Sequence, residues 1–272
     1  MQSYLHFAKT LATDAGDIVL RHFTNVAQHT TQKTDLTELT TADEAINQLV
    51  LDRISAAYPD HAVLAEEGSR RQQSDYTWVC DPIDGTFMYA HGLPMATFNL
   101  ALTHNGEVQV AVCYDPFLKR MFTASRGNGA FLNDQPLNLH DRIIAGRIGV
   151  ELEVWGGASS SIFKDVDLEL TIRAALTDRA DWVLLYWPSI AYSSAMVAKG
   201  DLGAVVFAGK NPWDGAAVSL IAQEAGAIVT DIFGNKGQRF DQETKGFIIA
   251  HPTLYGKLFA KVQPVVASAE LV

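Results

Sequence analysis

The chain has 272 residues, 48% of them hydrophobic and 19% charged, with 31 acidic and 21 basic side chains and a net charge of −10. That length and apolar content can bury a sizeable core and exclude a disordered chain. The acidic balance argues against nucleic-acid polymers as partners, since they select basic faces, and no apolar run is long enough to cross a bilayer, so no membrane partner is expected.

From the N-terminus, Ala8, Leu11, Ala15, Ile18 and Val19 recur at helical spacing over residues 3–24. Met1 to His6 shows no basic start followed by an apolar run, so no secretory signal is visible. Residues 30–41 are polar, lack periodicity and read as a loop. Thr41 with Glu44 resembles a capping box that opens a helix carrying Ile46, Leu49, Val50 and Ile54 on one face. Two short apolar, β-prone runs follow at 62–65 and 77–80. Strands at 96–102 and 108–114 flank Asn105-Gly106, a strong hairpin signal, and another strand around 121–123 precedes the Asn128-Gly129 turn.

Beyond about residue 140 the pattern alternates. Strands are predicted at 182–186, 205–207, 227–229 and 246–250, and helices at 190–199 (ended by Gly200), 214–225 and 252–261. The expectation is an α/β protein: an α+β N-terminal half (1–140) with a largely antiparallel sheet, and an α/β C-terminal half (141–272). No linker or repeat separates them, so the halves should pack tightly. Cys80 and Cys113 both lie in apolar strand-like runs and read as buried free thiols, which fits a reducing cytoplasm.

The chemistry concentrates where the strand at 77–80 breaks off, at Asp81-Pro82-Ile83-Asp84-Gly85-Thr86. Two carboxylates at a buried strand end repel each other and lose hydration, so they need a cation or a proton. Carboxylates and carbonyls suit hard divalent cations. The strand at 62–65 likewise stops at Glu66-Glu67-Gly68, and Trp213-Asp214-Gly215 opens a helical segment. A pair of magnesium ions bridged by shared carboxylates accounts for all three acidic ends. On position alone, Asp84 and Asp214 also read as helix N-caps, Glu67 and Glu44 as solvated or capping residues, His91 as structural, and Trp78 and Trp213 as core anchors.

The order Glu66-Glu67, then Asp81-Pro82-Ile83-Asp84-Gly85-Thr86, then Trp213-Asp214-Gly215-Ala216-Ala217 resembles the inositol monophosphatase family. The likeness extends to Ala90-His91-Gly92-Leu93-Pro94, to Gly127-Asn128-Gly129-Ala130-Phe131-Leu132-Asn133 and to Leu220-Ile221-Ala222-Gln223-Glu224-Ala225-Gly226, and spans about residues 8–258. It implies a layered αβαβα sandwich of the type shared with fructose-1,6-bisphosphatases. It also implies a lithium-sensitive hydrolase of small phosphate esters, a homodimer with two or three Mg2+ per active site. In that frame Asp81 bridges the ions, Glu66 and the Ile83 carbonyl complete the first, and Asp84 and Asp214 hold the second. Glu66 and Thr86 orient the attacking water. Gly85 and Thr86 present backbone N–H groups to the phosphate, and Ser189, Lys210 and Asp214 lie on the substrate side. Lys33 and Asp43 occupy positions where the family keeps a lysine and an aspartate near the site; taken alone they read as surface charges in a polar loop.

The substrate half departs from that pattern. Phe207 stands seven residues before Asp214, where the inositol-type enzymes carry a glutamate, and Pro188-Ser189-Ile190 replaces their Gly-Ser/Thr-Ala segment. An aromatic cannot accept hydrogen bonds from a polyol, so inositol 1-phosphate is not expected to be strongly preferred. Phe87-Met88-Tyr89 stands where phosphoadenosine phosphatases carry Lys-Glu, which weighs against that option, while a sugar phosphate, a sugar bisphosphate, as in fructose-1,6-bisphosphatases, and histidinol phosphate stay open. From another class, a non-catalytic metal- or phosphate-binding regulatory protein is the alternative.

Overall fold

The computed structural model describes residues 1–24, 30–32, 38–139, 148–153, 160–165, 167–176 and 182–272. Lys33 and the 140/141 boundary between the two halves fall outside them. In chain order the elements are α1 (Gln2–Phe23), β1 (Thr30–Gln32), β2 (Glu38–Thr40), α2 (Thr41–Ala57), β3 (Ala62–Ala65), β4 (Tyr76–Asp84), α3 (Thr86–Ala90), β5 (Thr97–His104), β6 (Glu107–Asp115), β7 (Arg120–Ser125), β8 (Ala130–Leu132) and β9 (Gln135–Leu137). There follow β10 (Ile148–Glu153), α4 (Leu168–Ala175), β11 (Trp182–Leu185), α5 (Ile190–Lys199), β12 (Ala204–Phe207), a 3-10 turn at Pro212–Asp214, α6 (Ala216–Glu224), β13 (Ile228–Thr230), β14 (Phe247–Ala250) and α7 (Pro252–Ser268).

Side-chain alternation builds the layers. In the seven-stranded sheet, ordered β3-β4-β5-β6-β7-β8-β9, Trp78, Cys80, Leu100, Leu102, Val110 and Val112 face α1 and α2. The residues between them, Val79, Ala101, Ala111 and Cys113, face α5 and α6. Successive strand residues point to opposite faces, and both faces here are covered by helices, so these strands read as continuous apolar runs. The five-stranded sheet, ordered β11-β10-β12-β14-β13, repeats the device. Val205 and Phe207 point into the α5/α6 layer, whereas Ala204 and Val206 pack under α4 and α7. The layers are therefore αβαβα, as expected. Both cysteines are free and buried.

Several elements differ from the sequence reading. Part of the 30–41 segment is a pair of three-residue antiparallel strands, too short to show periodicity. The capping box lies one residue earlier than expected. Thr40 is the N-cap, its backbone N–H donates to Asp43 Oδ2 at 2.9 Å, and its hydroxyl receives the Asp43 N–H. Strand β4 does not stop at Cys80 but continues to Asp84, with a register shift between Asp81 and Asp84. Pro82 lacks a donor and is tolerated at such an irregularity. The C-terminal sheet is mixed: β10 pairs in parallel with β11 and β12, while β14 pairs antiparallel with β12 and β13. The strands β8, β9 and β10 and the helix α4 were not anticipated.

Glu151 departs from the apolar pattern of β10. It is fully buried, accepts the Trp187 N–H on Oε1 at 2.9 Å, and leaves Oε2 without a partner. Burial pushes its pKa from 4.5 to about 7, against the Trp187 hydrogen bond and Arg173, with Glu169 adding to the rise. A carboxyl whose folded pKa is raised contributes full stability below its unfolded pKa and loses it as pH climbs through the folded one. Glu151→Gln is therefore expected to be more stable than wild type at pH 8, by ~1–3 kcal/mol, and nearly equal to it at pH 4.5. Urea unfolding at both pH values checks this; an equal difference at both would show that the carboxylate charge carries no cost.

Candidate active site

Strand register brings the acidic groups together. Strands β3 and β4 run parallel with Ala65 opposite Cys80, and the Glu66 N–H donates to the Cys80 carbonyl at 3.3 Å. Glu66 thus leaves its strand beside Asp81. Antiparallel pairing to β5 sets Asp81 opposite Asn99 and Asp84 opposite Thr97. Asp214 arrives from the other half, on the 3-10 turn that leads into α6.

Together these residues line a cavity of ≈ 360 Å³, with Ile83, Gly85, Thr86, Phe87, Tyr186, Pro188, Ser189, Ile190 and Phe207. Of the expected site residues, Glu66, Asp81, Ile83, Asp84, Gly85, Thr86, Ser189 and Asp214 share this cavity. Lys210 does not: it lines a separate cavity with Thr244 and Lys245, and its Nζ lies 3.7 Å from Glu243. The chain turns away after β12 and carries Lys210 to another surface.

Asp81 is 2% exposed and its Oδ1 has no hydrogen-bond partner. Its pKa stands well above the usual carboxylate range, first because of burial and then because Glu66, Asp84, Asp214 and Asp43 repel its charge. Asp84 is raised to about 6, mainly by burial. Hydrogen bonds from Ser189, Ala191 and Tyr192 oppose that rise and Glu66 adds to it. Its Oδ2 accepts the Ser189 hydroxyl and the N–H groups of Ala191 and Tyr192 at 3.2 and 3.4 Å. Asp84 therefore caps a helix, as its position suggested, but the helix is α5, more than a hundred residues away. Ser189 is the N-cap residue of α5, and its side chain is committed to Asp84.

Thr86 Oγ1 donates to the Ile83 carbonyl at 2.7 Å. Gly85 adopts φ +86°, and a Cβ there would meet the Met95 carbonyl at 2.9 Å and Ser189 Cβ at 3.0 Å; only glycine takes that backbone and that packing without strain. Asp43 is not a surface charge. It is buried on α2 with Oδ1 unpartnered, and burial, with further repulsion from Glu66 and Glu67, lifts it to about 7 against its bonds to Thr40. One helical turn on, Asn47 is also buried and lies against Gly68. Asn47 was not anticipated, although a polar residue four after Asp43 on the apolar face of α2 was a readable signal.

Among the described residues no three Asp, Glu, His or Cys side chains close into a cation cage. The donors nevertheless suit a hard divalent cation that keeps part of its water shell, as magnesium does. The buried Asp81 Oδ1 needs a partner, and the described lining holds four carboxylates with no lysine or arginine.

A family model described as "Inositol monophosphatase family" matches residues 1–267. The chain is 31% identical over 265 residues to a Thermotoga maritima protein named "Fructose-1,6-bisphosphatase/inositol-1-monophosphatase", covering 96% of each chain. It is 34% identical over 233 residues to a Xylella fastidiosa protein named "Nus factor SuhB", covering 85% of this chain and 83% of that one. Among solved structures, a Thermotoga maritima IMPase superposes with a TM-score of 0.83 at 28% identity, over 97% of this chain and 98% of the other.

Proposed function

The chain belongs to the inositol monophosphatase family, and from that premise we propose that it is a magnesium-dependent phosphomonoesterase acting on a small phosphate ester. The observation that supports this best is Asp81, a buried carboxylate with a free oxygen, set by strand register between Glu66 and Asp84 in a cavity without a basic side chain among its described residues. Glu66, Asp81 and the Ile83 carbonyl would hold one ion, and Asp81, Asp84 and Asp214 a second. Bound magnesium would supply water activation and charge neutralisation at the phosphate and the leaving oxygen.

The chain's own residues do the positioning. Glu66 and Thr86 orient the attacking water, and the Thr86 hydroxyl is already fixed against the Ile83 carbonyl. Gly85 leaves the backbone at the start of α3 open to the phosphate. Asp84, braced by the start of α5, keeps the two halves of the site in register. From α2, Asn47 packs against Gly68 in the turn after Glu66, and Asp43 lies close enough to Glu66 and Glu67 to feel their charge. The working form is proposed to be a cytoplasmic homodimer. Among the described residues no helix is long and apolar enough to cross a membrane.

Phosphate release from a panel of esters, with magnesium and with chelator, tests the proposal. Activity is expected only with magnesium, and calcium and lithium should inhibit it. Calcium takes more ligands at longer distances than an octahedral magnesium site offers. Full activity in chelator would overturn the metal-dependent reading. The relative named Nus factor SuhB supports a second reading, a regulatory protein that binds metal or phosphate without turnover. Saturable magnesium binding with no hydrolysis across the panel would favour it.

A further inference from the structure

The lining of the active-site cavity is chemically divided. Among its described residues the polar groups are the four carboxylates, Thr86, Ser189 and Tyr186, and the other side chains are Ile83, Phe87, Pro188, Ile190 and Phe207. The Thr86 and Ser189 hydroxyls donate to Ile83 and Asp84 respectively. A polyol would find few hydroxyl partners here beyond the carboxylates assigned to the metals. Phe207 is 2% exposed, held against Phe247 at 5.0 Å, and offers little more than an edge. Phe87 and Tyr186 differ: they are 48% and 61% exposed, yet both line the cavity. Single exposed aromatics are ordinary on a protein surface; here two line one acidic cavity.

Their placement is built into the backbone. Phe87 lies two residues after Gly85, and Tyr186 three residues before Ser189. Gly85 and Ser189 are packed so closely that even a methyl group would not fit between them without strain. The two segments that carry the aromatics thus touch at their base. The Phe87 ring is further held against His91, with centroids 4.3 Å apart.

We propose that the substrate's alcohol moiety carries a flat aromatic group, bound by Phe87 and Tyr186 at the mouth of the cavity, so that the substrate is an aromatic-bearing phosphomonoester. The source is either a simple aromatic alcohol or a nucleoside. This rests on the phosphatase reading above, but the site can be tested without turnover. Ring stacking tolerates many ring types because each presents a π-face.

The experiment measures calorimetric binding of benzylphosphonate and of methylphosphonate, with magnesium, to wild type, Phe87→Ala, Tyr186→Ala and Tyr186→Phe. Wild type is expected to favour benzylphosphonate by about tenfold or more. Each alanine variant should lose most of that ratio, and Tyr186→Phe should keep it, because the ring and not the hydroxyl binds. In parallel, kcat/KM is compared for benzyl phosphate, adenosine 5′-monophosphate and glycerol 2-phosphate; whichever aromatic ester leads glycerol 2-phosphate by more identifies the source. No preference in wild type, or alanine variants that keep the ratio, would overturn the proposal. Selective binding without hydrolysis of any ester would uphold the aromatic site and sink the phosphatase reading.

Discussion

Asp81→Asn is expected to lower turnover by several orders of magnitude, on the order of 4–6 kcal/mol of barrier, while the protein stays folded. The substitution keeps shape and removes charge at the most buried carboxylate of the cavity. Asp81 is the residue proposed to touch both ions, and its Oδ1 has no other partner to satisfy. With metal removed, the variant should be at least as stable as wild type. A neutral amide no longer repels Glu66, Asp84 and Asp214, the groups that together with burial hold the Asp81 pKa high. Asp43→Asn keeps an acceptor for the Thr40 N–H and should affect turnover far less. Parallel kcat and thermal-melt measurements separate the two; wild-type turnover in Asp81→Asn would reduce the central motif to a turn.

Asp84→Ala is expected to lose both activity and stability. Its Oδ2 receives three donors from the start of α5: the Ser189 hydroxyl and the N–H groups of Ala191 and Tyr192. Those N–H groups belong to the first helical turn and have no partner within the helix. Truncation would strand them in a buried site, at a cost of ~2–4 kcal/mol. Asp84→Asn keeps an acceptor oxygen and should destabilise less while still losing activity. Urea unfolding of the pair decides it: an alanine variant within ~0.5 kcal/mol of wild type would mean that the bond between β4 and α5 contributes nothing to stability.

What could be read in the sequence was local. The carboxylates of the central motif were legible because a strand end, a proline and a glycine fix them within six residues. The α/β order followed from alternation, and the αβαβα layers from the family resemblance. The capping box was misplaced by one residue because Thr40 and Thr41 each precede an acid three positions on, and only burial of Asp43 decides between them. Strand β10 was missed because Gly149 and Glu151 interrupt its apolar run. The Asp84–Ser189 bond joins positions 105 apart, which no local pattern encodes. Lys210 was expected on the substrate side of the site, but it lines a separate cavity with Thr244 and Lys245. Phe207 was legible as a substitution; the exposed pair Phe87 and Tyr186 became visible only once α3 and the segment before α5 met at Gly85 and Ser189.

The most direct test of the metal-centred account is a magnesium titration of chelator-stripped protein, following phosphate release from glycerol 2-phosphate in wild type and in Asp81→Asn. The expected result is no release without magnesium, a saturable rise in wild type as it is added, and no comparable rise in Asp81→Asn at any magnesium concentration. Equal phosphate release by stripped and magnesium-loaded wild type would contradict the account.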